Sequence, residues 1–161
     1  MLFKELTEYK ETLCRLFVNS DDIRALLKTN DDTIKKKDLV YKQIFPYTYL
    51  PDIQKEENIY LCFDIEVPRI NSNSNIMKDV VIYVDALVHQ SFMETSEGIR
   101  TDLFANKIDE LLNGSKDFGM GLALASLRRF HEEGTYFGIE LQYVARDFNN
   151  PNNPVNNPNT W

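Results

Sequence analysis

The 161-residue chain has little of what catalysis requires: two cysteines, two histidines and no run near the ~20 apolar residues that span a bilayer. Cys14 and Cys62 are far apart, one on an amphipathic segment and one in an alternating segment. Neither a CxxC motif nor a zinc pattern is present, and both read as free thiols in a reducing compartment. His89 and His131 fall at predicted strand ends with no HExxH spacing and no nucleophile signature beside them. Ser126 lacks a GxSxG elbow. Gly119-Met120-Gly121 lacks the context that cradles phosphate, so these glycines shape a turn entering a strand. Positive charge is scarce as well: Lys and Arg number 18 against 25 Asp and Glu, a net charge of -7 that argues against a phosphate-neutralising surface. The one basic run, Lys35 to Lys37, follows Asp31 and Asp32 and reads as a solvated loop. Lys4, Glu5, Glu8 and Lys10 interrupt the start of the chain, which is unlike a signal peptide. The expectation is a protein made and used in cytosol, or in a particle assembled there.

What is present is pattern. With 43% hydrophobic residues, the chain suffices for one core, and a single domain over residues 1–148 is expected. Leu2, Leu6, Tyr9, Leu13, Leu16 and Phe17 recur at three- and four-residue spacing, predicting an amphipathic helix over 2–18. Ser20, Asp21 and Asp22 then cap a short helix reaching Leu27, so residues 1–28 form an N-terminal helical unit, and 28–38 form a loop. The segment from Phe45 to Asp52 carries Pro46 and Pro51, which fix φ and remove donors, so it is extended and irregular. Its three aromatics are expected to anchor it to the domain's own core.

Strict alternation over Ile59–Val67 and Val80–Val88 predicts a strand pair joined by a polar tip containing Asn71, Ser72, Asn73 and Ser74, a candidate contact element. A helix over 98–113 carries a stripe of Ile99, Leu103, Phe104, Ile108, Leu111 and Leu112, with Gly114 as its C-cap. Leu122–Phe130 and Tyr136–Ala145 give a second strand pair. Residues 59–148 therefore predict an α+β fold, an antiparallel sheet of about four strands with helices packed on one face. Residues 149–161 hold seven Asn and three Pro, a tail unable to build a core, whose Trp161 is a candidate anchor in a neighbouring subunit.

Three carboxylates, Asp64, Glu66 and Asp85, fall on the polar faces of the first strand pair and form the only grouping that suggests metal-dependent chemistry, as in a small nuclease. The polar face of a half-buried strand accounts for the same residues. Arg128 and Arg129 alternate across one strand, so a covered sheet leaves one of them outward, as a solvated arginine or an intersubunit ion pair. No enzyme class, metal or cofactor is expected. A further alternative is an adaptor that binds a peptide along a free sheet edge.

The order of parts from about Tyr41 to Phe148 carries a family likeness: an extended Phe45-Pro46-Tyr47 loop, a long hairpin, the helix Gly98-Ile99-Arg100-Thr101-Asp102-Leu103, Asn113-Gly114, and two strands closing with Tyr143 and Arg146-Asp147-Phe148. It resembles the tail-terminator, or tail-completion, proteins of tailed bacteriophages. That resemblance implies a structural virion protein of the neck, at the head-tail junction, assembled in the bacterial host cytoplasm. It implies a homo-oligomeric ring, commonly hexameric, that caps the tail tube, ends tube growth and joins the tail to the head connector. The implied partners are further copies of the chain, the tail tube protein and a head-closure or connector protein. DNA is only cargo passing through the channel, and no membrane is involved. The N-terminal helices and the Asn/Pro tail equally suit a head-closure or connector-adaptor subunit. The negative charge suggests that carboxylates line the channel and keep DNA from sticking.

Overall fold

A computed structural model describes residues 2–28, 35–51, 57–70, 77–132 and 134–148. Helix α1 (Leu2–Asn19) follows from the four-residue spacing of Tyr9, Leu13 and Phe17. Leu13 and Phe17 are fully buried, each contributing ~1.5–3 kcal/mol on transfer from water. At its end Ser20 adopts extended backbone, and its Oγ accepts the Ile23 N–H at 3.3 Å, capping α2 (Asp21–Leu26) as the sequence predicts. The expected loop over 28–38 is shorter than predicted, because a 3₁₀ turn at Lys36–Leu39 buries Leu39; residues 29–34 lie outside the described residues.

Four long strands match the alternating segments: β2 (Ile59–Ile70), β3 (Met77–His89), β6 (Ala123–Glu132) and β7 (Tyr136–Phe148). A fifth, β1 (Ile44–Phe45), pairs parallel to β2, so the order is β1-β2-β3-β7-β6. The fold is α+β, and the sheet is mixed and five-stranded rather than antiparallel and four-stranded. Two residues show no period, and Pro46 removes the next backbone donor, so β1 leaves no alternation to read.

The predicted helix start is also corrected. Glu94–Thr95 (β4) and Gly98–Ile99 (β5) form a two-stranded ribbon, closed by the Thr95 hydroxyl donating to Gly98 O at 2.7 Å. Helix α3 therefore spans Arg100–Leu112, leaving Ile99 exposed and off the stripe. Phe104, Ile108 and Leu112 are fully buried against the sheet. The Arg100 guanidinium fastens the helix start by donating to Phe92 O at 2.7 Å and Leu26 O at 2.8 Å.

Antiparallel register puts Ile59, Leu61, Phe63 and Ile65 on the same face as Val80, Ile82, Val84, Ala86 and Val88, and as Ile139, Leu141, Tyr143 and Ala145. These residues join the helices in the main core, as the alternation predicts. At one end of this core Lys78 is fully buried; its ammonium meets Glu5 of α1 and lies 3.9 Å from Asp147 of β7. The Tyr9 hydroxyl also donates to Asp147, so α1 is tied by charge to the two central strands. Gly119 takes φ +94°, and an added Cβ would lie 2.5 Å from Arg146 O, the atom that accepts the Met120 N–H at 2.8 Å. The predicted turn thus requires glycine for close backbone approach.

Candidate functional site

The sheet's other face is where polar and aromatic side chains gather. Phe45, Tyr60, Cys62, Leu87 and Tyr136 form a second, smaller buried cluster, with Tyr49 and Phe130 packed against it. Tyr49 stacks flat on Phe45 at 4.0 Å, and Tyr47 meets the same ring edge-on at 5.7 Å. The proline-flanked aromatic segment is therefore fastened to the domain's own sheet, as expected, although Tyr47 stays partly exposed. Tyr49 backbone also hydrogen-bonds the Cys62 thiol, which burial pushes up to about 12. Both cysteines are free thiols. Phe130 lies across Gly138 on β7, where a Cβ would come within 2.3 Å of the ring. Glycine there lets the aromatic ring cover the neighbouring strand.

Beside this cluster one cross-strand row reads Cys62, Asp85, Glu140, Arg128 across β2, β3, β7 and β6. Asp85 is pushed up to about 7, first by loss of water, then by the charge of Glu140 and the hydrogen bond between the two carboxyls. Arg128, 3.3 Å from Glu140, pulls the other way. Asp85 Oδ1 is buried and has no hydrogen-bond partner among the described residues. The row opens into a cavity of about 310 Å³ whose walls include Tyr49, Leu50, Phe130 and His131. The arrangement lets Asp85 keep its proton toward neutrality and presents a guanidinium at the sheet edge.

The two candidate arginines take opposite faces of β6, as alternation requires. Arg128 points to the aromatic face, whereas Arg129 points to the helix face and meets Asp102 of α3 at 2.7 Å. The expectation that only one would stay outward fails: their side chains are 67% and 60% exposed. The reason is position, because β6 is the outermost strand and α3 packs on β3 and β7. Leu124 and Leu127 on the same strand are likewise 39% and 46% exposed. Asn71, Ser72, Asn73, Ser74 and Trp161 lie outside the described residues.

Asp64, Glu66 and Asp85 share the aromatic face, each with its own partner: Asp64 bonds Lys10 at 2.9 Å, Glu66 the Tyr83 hydroxyl, Asp85 Glu140. Among the described residues no group of three or more His, Cys, Asp or Glu is placed to hold a metal ion. His89 ends β3 and His131 is the last residue but one of β6; His89 Nδ1 lies 2.8 Å from Ser91 Oγ, and His131 stacks on Phe137. Sequence reasoning missed Glu140 as Asp85's neighbour. The signal available was the matched alternation of the third and seventh strands, which fixes their mutual register only once the sheet order is known.

This geometry defines a small α+β fold with one helix-covered sheet face and one aromatic face bearing carboxylates, with β6 at the sheet margin. A family model described as YomW matches residues 11–145, and the chain belongs to that family. No curated protein matches it.

Proposed function

We propose that this chain is a structural subunit of a phage neck, forming a ring that caps the tail tube, ends tube growth and joins the tail to the head connector. The observation that carries this reading is the ten-residue strand β6, exposed from Ala123 to Arg129 at the margin of the sheet, which suits a subunit made to be covered by another chain. Membership of the YomW family, a name of the kind given to phage genes, supports a phage-associated protein. The order of elements from Tyr41 to Phe148 supports the tail-terminator station among neck proteins, ahead of head closure or a connector adaptor. The part of this face beside the aromatic cluster adds an electrostatic reason: Asp64, Glu66, Asp79 and Glu140 stand on it against Arg128 and Arg146. A channel lined by this face repels passing DNA phosphates.

Depletion of the chain during phage production provides the test. The role predicts tails of irregular, excessive length and heads left unjoined. Normal joined particles from depleted cells would overturn it. Metal-dependent hydrolysis carried by Asp64, Glu66 and Asp85 is the reading from another class, and a thermal shift on adding a divalent cation, lost in Asp64→Asn with Asp85→Asn, would favour it.

A further inference from the structure

The sheet has two open margins of opposite charge, and we infer that they pair: β6 of one copy docks antiparallel on β2 of the next, extending one sheet from subunit to subunit. The proposal rests on the ring reading above and specifies its interface. On one margin, β6 bonds only β7 among the described residues and shows Leu127, Arg128 and Arg129. On the other, β1 covers β2 only at Leu61 and Cys62. Past that point the Ile65 N–H turns to a side chain, donating to Asp64 Oδ1 at 2.8 Å, so Asp64 to Val67 run along an open margin among the described residues.

Direction, face and charge agree. β2, β3, β7 and β6 alternate in direction, so β2 and β6 of one chain run oppositely. Rotation about an axis parallel to the strands preserves their directions, and the next copy's β2 therefore meets β6 antiparallel. Such a contact is heterologous, the kind that closes into a ring. Placing Arg128 opposite Glu66 puts Leu127 opposite Val67, Arg129 opposite Ile65 and Phe130 opposite Asp64. Arg128 and Glu66 then share the aromatic face, set by the partners Glu140 and Val81. Leu127 and Val67 share the helix face, set for Leu127 by its partner Leu141 and for Val67 by its packing on the main core. Pro68, which has no N–H and lies in the irregularity between Glu66 and Arg69, ends the pairing stretch after Val67 on one side, and β1 ends it on the other. A short, charge-matched edge of this kind selects its partner and resists indiscriminate strand addition.

The test uses the full chain carrying Val67→Cys and Leu127→Cys, with Cys14→Ser to remove the half-buried thiol, oxidised at high protein concentration. The expected product is a covalent ladder ending in a closed species. Mixing the chain that carries only Val67→Cys with the chain that carries only Leu127→Cys, each keeping the buried Cys62, should give dimer only. Arg128→Glu or Glu66→Arg alone should cut cross-linking at least about tenfold, and the two together should restore it, because like charges face each other in either single variant. Cross-linking by Leu127→Cys alone would show two-fold β6–β6 pairing and overturn the proposal. So would the absence of any cross-link with the fold intact by circular dichroism. A ladder from a chain that is missing from phage particles would keep the interface and sink the neck reading, so the two failures are distinguishable.

Discussion

Asp85 and Glu140 face each other across two strands with Arg128 behind them, and that row fixes how stability responds to pH. An ordinary Asp titrates at ~3.9 in the unfolded chain, whereas Asp85 in the fold is raised to about 7. Between those values the folded state holds the extra proton, so its contribution is present at low pH and is lost as pH rises through 7. Asp85→Asn removes this slope. Urea titrations from pH ~4 to ~8 should show the wild type losing stability relative to the variant up to neutrality, then running parallel to it. Curves parallel throughout would contradict the raised Asp85. Lys78 is the other decisive residue: its ammonium is fully buried beside Glu5. Glu5→Ala leaves that charge without its nearest partner and should cost ~3–5 kcal/mol in urea unfolding, against under about 1 kcal/mol for an exposed pair such as Lys4 and Glu8. Asp85 stood out in the sequence only as one of three carboxylates, without Glu140, and Lys78 did not stand out at all. Lys78 precedes the alternating segment read from Val80, and Asp85 acquires Glu140 only through a pairing 55 positions along the chain.

At the scale of elements, alternation was the reliable signal. Residues 59–67 and 80–88 sorted onto two faces as predicted because one face is buried against helices, and a one-residue slip would turn every apolar side chain to water. The four-residue spacing of Leu13 and Phe17 and the Ser20 cap were legible for the same kind of reason: each is local. What was not legible depends on distant chain. β1 exists because Gln43 and its neighbours reach β2; Gln43 Nε2 donates to Leu27 O at 3.0 Å and Ile59 O at 3.1 Å, and Leu61 N–H donates to Gln43 O at 2.7 Å. The start of α3 moved from Gly98 to Arg100 because a ribbon captured Gly98 and Ile99. The exposure of both Arg128 and Arg129 follows from β6 lying at the sheet margin, and sheet order cannot be read from alternation.

For the whole molecule, a helix-backed sheet with an arginine-bearing edge is the part that, in our proposal, other copies complete. Family membership supports a phage-associated protein, and the neck is the place we propose for it. The charge of -7 suits a passage for DNA rather than a grip on it. The most direct measurement is electron microscopy of phage particles from the producing culture, labelled with gold-conjugated antibody against this chain. The account predicts gold at the head-tail junction, at one site per particle. Intact particles with exposed necks that take no label, or label confined to another part of the virion, would contradict it.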